Sequence, residues 1–470
     1  MRKIVLFILT LLICSSCNRS GTSGAPVLIW WQMGNAQPRF AEDQKVISDY
    51  IEEKIGVRVN FRLAGWAEAG QRFTTMLNSG EYFDILFTDT STYNHYVSQG
   101  AFADITNLVK EKSPLLWETI PSILWDGVKI NGRIYSVPCY KDSSITGYYF
   151  WNDYYVEKYN IDLARTGWKY LDEVFRKIKK GEGQRFYPFL LSRSSNNWIF
   201  DYYDSLSLGS PVIGIRIDDI NRKVVLTIEQ SDIIETLKYF HSWYKDGIIN
   251  PDANLLFETP AMPNPLLKIM QAWPSVAFSY AVQDNIAKYH AVRFFGPYYS
   301  TASIQGSLSG ISSNSRHKAE SLKLLELVNT DTKLRDMLAY GIEGKHFNYT
   351  NDGNAVEIIL TDWSLINYQQ GNYFIITPQS NVPPSYWEEV RYQNEMATPV
   401  SAMGFMIDLE PIRMDLMNCK SAWDRYATDL TLGASDPDDV LPKVIADLKN
   451  AGADRLIAEI QRQVDKYFNQ

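Results

Sequence analysis

Between Val27 and Thr88 the chain alternates short apolar runs with amphipathic stretches, and few folds satisfy that alternation. Val27 to Trp31 (VLIWW) is a continuous apolar run after Pro26, as expected of a buried strand. Glu42 to Ile55 places Val46, Ile47, Tyr50, Ile51 and Ile55 at helical spacing, and Gly56 follows where a C-terminal cap belongs. Val57, Val59, Phe61 and Leu63 then alternate as one face of a second strand. Gln71 to Leu77 reads as another helix and Phe83 to Thr88 as a third, buried strand. Strand, helix, strand, helix, strand in so short a span predicts a parallel α/β sheet with helices on its faces.

The segment ahead of that sheet constrains location. Arg2 and Lys3 precede an apolar run from Ile4 to Ile13, broken only by Thr10, and Ser15, Ser16 and Cys17 follow. This is the three-part layout of a secretory signal. The run has 10 residues, against the ~20 that span a bilayer as a helix, so a helical anchor is not expected. Cys14 to Cys17 resembles a bacterial lipobox with Cys14 where Leu usually stands. Small Ser16 suits a cleavage site before Cys17, whereas bulky Ile13 does not suit one before Cys14. The expectation is a lipoprotein carrying acyl chains such as palmitate on Cys17, tethered by Asn18 to Gly24. A plain signal peptide cut nearby is the alternative. The C-x-x-C spacing of Cys14 and Cys17 also occurs in redox and zinc sites, but its place in a hydrophobic leader argues against both.

Loss of Arg2 and Lys3 with the leader takes the formal charge from −8 to −10. Such acidity argues against nucleic acid as a partner. Only Cys139 and Cys419 remain beyond Cys17, too few to staple a scaffold. Stability must come from a core, and 45% apolar residues suffice for two lobes. The 13 Trp and 29 Tyr suit binding clefts as well as cores.

Signatures of catalysis are missing from the sequence. It has no P-loop and no H-E-x-x-H pair. GEGQRF (Gly181 to Phe186) lacks the third glycine of a dinucleotide fingerprint, and Leu308 stands where the serine of a nucleophile elbow would be. His95, His241, His290, His317 and His346 are scattered without ligand spacing. No metal, no cofactor and no catalytic residue is expected.

Asn131 to Trp151 reads as two extended runs flanking a polar centre near Lys141 to Thr146, as a crossover between lobes would. Helices are expected over Leu171 to Lys180, Ser231 to Tyr244 and Lys318 to Asn329, with a hairpin around Asn221. At the C-terminus, Asp436 can cap a helix that has Pro437 at its first position. Leu441, Val444, Ile445 and Leu448 form one stripe, and Leu456, Ile457, Ile460 and Val464 form the next.

Several of these stretches together resemble the family 1 extracellular solute-binding lipoproteins of carbohydrate ABC transporters. They are VLIWW, MLNSGEYFDILFTD (Met76 to Asp89), QGAFADITNLV (Gln99 to Val109), NGRIYSVP (Asn131 to Pro138) and GISSNSRHKAESLKLLELVNTD (Gly310 to Asp331). YGIEGKHF (Tyr340 to Phe347), GFMID (Gly404 to Asp408) and the terminal helices resemble a subset with an extra C-terminal domain of unassigned role. The resemblance implies an α/β fold of the two-lobed, type II periplasmic-binding-protein kind, crossed more than once, with a helical C-terminus. It divides the chain into a signal peptide (1–16), a tether (17–25), a first lobe (26–140 and about 305–345), a second lobe (141–304) and a C-terminal part (346–470) completing the second lobe.

The implied function is capture of a sugar or oligosaccharide in the interlobe cleft, without catalysis, for delivery to permease subunits. The protein would act as a monomer, lipid-anchored on the extracytoplasmic side of the membrane. A secreted carbohydrate-active enzyme and a sugar-sensing module are the alternatives. Candidate ligand residues follow from strand ends and polar loops: Trp31, Gln32, Trp66, Thr88 and Asp89 in the first lobe, Tyr140 and Lys141 at the crossover, and Trp198, Tyr202, Tyr203 and Trp273 in the second lobe. Of Trp30 and Trp31, one is expected to face the core and the other the cleft. Glu343 and His346 are expected to fix the joint between lobe and C-terminal domain.

Overall fold

The structure, a computed structural model, describes residues 24–195 and 197–469. Cys17 and the leader lie outside the described residues. Strand β1 (Val27–Met33) pairs in parallel with β2 (Arg58–Ala64) and β3 (Ile85–Thr88), and helices α1 (Phe40–Ile55) and α2 (Ala69–Ser79) connect them. Gly56 closes α1 in the left-handed region, at φ 72°. The sheet is parallel only over these three strands. Leu308–Ile311 joins it antiparallel to β3, and Ser136–Pro138 forms the far edge. The chain therefore returns to the first lobe late, as the stretch beginning at Gly310 implied.

In the second lobe, four strands run in the order Leu267–Gln271, Ile145–Asn152, Tyr289–Tyr299, Thr398–Pro399. The expected hairpin is present, with Val224–Leu226 antiparallel to Ile213–Arg216. The terminal helices Pro437–Asn450 and Ala453–Phe468 bury Leu441, Val444, Leu456 and Ile460 in one core with Phe240, Trp243 and Ile213. The first lobe has a separate core around Trp30, Ile85, Leu325 and Leu338. Two cores joined by three passages of chain make a two-lobed α/β protein, whose third passage runs through the helix Tyr386–Met396.

The expected division needs one correction. The stretch after 346 packs first on the first lobe and meets the second only from about Tyr386 onward. The Gln369 side-chain amide closes both hydrogen bonds with the Met33 backbone, accepting at 2.7 Å and donating at 2.8 Å. Nothing local announces such a pairing across more than three hundred residues.

The YGIEGKHF motif also works inside the first lobe. His346 is fully buried, its Nδ1 accepts the Ile342 N–H at 2.9 Å, and its Nε2 lies 3.6 Å from Asp43 and 3.5 Å from Asp362. Burial holds its pKa below the usual imidazole value, against the pull of both carboxylates. Lys345 donates to Asp43 of α1 at 2.7 Å. A Cβ at Gly341, φ +97°, would stand 2.6 Å from the imidazole, so glycine is required there. The motif thus clamps α1 and does not join a lobe to the C-terminal domain.

Candidate functional site

The lobes meet around the three passages, and aromatic rings gather there. Trp273 follows the edge strand Leu267–Gln271. Its ring lies 5.0 Å from Tyr386 and 6.5 Å from Trp387, both in the first turn of Tyr386–Met396. Tyr373, on the stretch that packs on the first lobe, lies 5.1 Å from Trp387. One ring from each lobe and two from the passage between them form a continuous, half-buried surface. The indole N–H groups of Trp273 and Trp387 have no partner among the described residues, which leaves two donors uncommitted.

Polar groups border these rings. Burial, with the Asp142 charge as the next contribution, pushes the Tyr386 hydroxyl up to about 12. Tyr373 is raised further by the same two causes. Asp142 accepts from Lys141 at 2.9 Å. Arg391 donates to the Phe374 carbonyl and lies 5.2 Å from that ring, which packs on Tyr140 at 4.5 Å. Asn394 holds the first passage, accepting from the Ser144 N–H and donating to the Lys141 carbonyl. On the first lobe, Tyr368 packs edge-on against Phe87, and its hydroxyl is raised by burial and by Asp89.

Of the eleven ligand candidates, Trp273, Tyr140 and Lys141 lie at this junction. Three others are corrected. Trp30 and Trp31 are both buried; Trp31 packs on Phe73 and lies 4.6 Å under the Arg72 guanidinium. Gln32 is fully buried against Gln370 because the Gln369 stretch covers the end of β1. Thr88 is buried, its hydroxyl shared with Thr92.

Asp89 is half-buried, with its carboxylate accepting from Ser91 and Thr92 of its own turn. Trp66 is 49% exposed at the end of β2. Trp198 is buried against Phe294 and Phe295, while Tyr202 is exposed over Phe295. Tyr203 donates to Asp232 at 3.0 Å, away from the ring cluster.

Sequence reasoning missed Asp142, Tyr368, Tyr373, Tyr386, Trp387 and Arg391. Five of the six lie beyond residue 346, in a stretch assigned whole to the second lobe. The available signal was SYWEEVR after Pro383 and Pro384, with adjacent aromatics at a helix start.

Comparison with known proteins bears on this geometry. The model of the family described as bacterial extracellular solute-binding protein matches residues 34–332. A domain of unknown function matches residues 401–469. A carbohydrate ABC transporter substrate-binding protein of Streptococcus pneumoniae is 26% identical over 460 residues, covering 94% of this chain and 91% of its own. The crystal structure of the N-glycan transport solute binding protein NgtS from Streptococcus pneumoniae is similar at a TM-score of 0.83 with 25% identity, covering 95% of this chain and 99% of that one. NgtS in complex with Man1GlcNAc matches at a TM-score of 0.73 with 22% identity, over 95% and 100% of the two chains.

Proposed function

This chain belongs to the bacterial extracellular solute-binding proteins, and from that membership we propose that it captures a sugar or oligosaccharide between its lobes for an ABC transporter. The observation that carries the reading is the ring cluster of Trp273, Tyr373, Tyr386 and Trp387, with Asp142 beside it. Sugar C–H faces stack on such rings, and hydroxyls need carboxylate and indole partners. Binding to both lobes favours the closed arrangement only if the ligand touches it better than the open one. Rings from both lobes around one passage meet that condition. The relatives named above, one of them in complex with Man1GlcNAc, support the same ligand class.

The cleft is read as binding without turnover. Asp142 is paired with Lys141 and Asp89 is committed to its own turn, so neither is an uncommitted acid or base. A thermal-shift screen of the soluble domain against mono- and oligosaccharides tests the reading. A bound sugar at a hundred times its Kd should add about 2.7 kcal/mol, and the same sugar should be recovered unchanged. No stabilisation across a broad panel, or consumption of the ligand, would defeat it.

The anchor is a proposal of the same kind. Among the described residues no helix is long and apolar enough to cross a membrane. A lipid on Cys17 would keep the receptor at high effective concentration near its permease. Stable anchoring takes more than one acyl chain, so Cys17→Ala should move the protein from the membrane fraction to the soluble one. Retention on membranes after a salt wash would rule the lipid out.

A further inference from the structure

The two flanks of the cleft are built differently. The second-lobe sheet has Leu267–Gln271 at one edge and Thr398–Pro399 at the other, about 14 Å apart at ordinary strand spacing. The first edge leads into Trp273 and the ring cluster. The second leads into 401–407, the start of the domain of unknown function.

That second flank is bridged directly from lobe to lobe. Asn94 of helix Tyr93–Ser98 donates to the Ile407 carbonyl at 3.3 Å, and the Thr90 and Ser207 hydroxyls meet at 3.2 Å. Gln305 reaches the Met406 sulfur at 3.3 Å, and the Gly404 N–H donates to Thr301 at 2.8 Å. Met403 and Met406 pack against the first-lobe core although their chain continues into the second. At the Trp273 flank the contacts run through the third passage. Ser275 bonds Glu389, Trp273 packs on Tyr386, and Arg391 reaches Phe374.

We propose that residues 403–407 wall off one end of the cleft, so that the protein receives the terminal unit of a glycan while the rest of the chain runs out past Trp273. This rests on the sugar-binding reading and gives the C-terminal domain a role in it. That domain is anchored in the second-lobe core through Leu441, Val444, Leu456 and Ile460, so its leading ribbon is held firmly enough to serve as a wall. Tyr202, exposed over Phe295 and 5.7 Å from the Arg216 guanidinium, is placed to meet the terminal ring on that side.

The test compares two blocked forms of one ligand. Chitotriose, mannotriose, maltotriose and cellotriose are first screened by calorimetry. The best binder is then measured as its p-nitrophenyl glycoside, blocked at the reducing end, and as its 4,6-O-benzylidene derivative, blocked at the other. One form should bind within about threefold of the free sugar and the other should lose about 100-fold, roughly the 2.7 kcal/mol of a lost docking mode. Asn94→Ala with Met406→Ala should restore at least part of the loss for the excluded form alone. Equal binding of both forms would mean a through-groove, and loss of both an enclosed pocket; either overturns the inference and leaves sugar binding standing. If none of the four sugars binds, the functional reading fails and takes the wall with it.

Discussion

Replacing Trp273 and Trp387 together with alanine should lower affinity for the sugar about 100-fold, and either change alone about tenfold. Each ring face covered by a sugar is worth roughly 1–2 kcal/mol of apolar burial, and two such losses make about 2.7 kcal/mol, or two decades in Kd. Both rings are half-buried at the junction and outside the two main cores, so the variants should stay folded. Titration calorimetry gives the affinity, and circular dichroism melts show whether the fold is intact. Unchanged affinity in the folded double variant would move the ligand away from this cluster. A Trp30→Ala variant makes a useful contrast. Its ring is fully buried against Phe61, and its loss should act through stability, leaving the affinity of the folded fraction alone.

The sheet of the first lobe was legible because its signals are local. Strand alternation, the apolar stripe of α1 and the glycine after it all act within a few residues, and the elements fall where they place them. The C-terminal helices were legible for the same reason, with Asp436 accepting the Asp438 N–H as its cap. Strand ends were read as cleft positions by a rule that holds when nothing covers them. Here Gln369 and Gln370 cover β1, and Gln32 became a buried amide instead of a ligand contact. The ring cluster was illegible for a related reason. Its members come from residues 273, 373, 386 and 387, and only the path of the third passage brings them together. Trp273 was singled out because it follows a strand and precedes a proline, and the structure places it in the cluster; its partners carried no comparable mark.

That third passage depends on one buried cation, and Arg335→Met should cost about 3–5 kcal/mol of stability, the usual consequence of breaking a buried charge network. The Arg335 side chain is fully buried and donates to the Asn372 carbonyl at 3.0 Å, the Gln370 amide oxygen at 2.9 Å and the Asn367 carbonyl at 2.8 Å. Those three bonds pin the stretch that carries Tyr368 and Tyr373 to the cleft. Methionine fills similar volume and relieves the desolvated charge, whose pKa burial already lowers. Against that gain, it strands three acceptors at about 1–3 kcal/mol each and removes the nearest cation from buried Asp336. Burial raises the Asp336 carboxyl, while Thr377, Tyr349 and Arg335 oppose the rise.

The sign of the pH dependence follows. A carboxyl with a raised folded-state pKa costs nothing below its unfolded value of about 3.9, and its penalty grows as pH rises through the folded value. Without Arg335 that folded value climbs further, so the deficit of Arg335→Met should be smaller near pH 4 than at about pH 7. Urea melts of the variant and parent at both pH values measure it. A deficit independent of pH would mean that the loss comes from the three stranded acceptors alone, with no electrostatic share from Asp336.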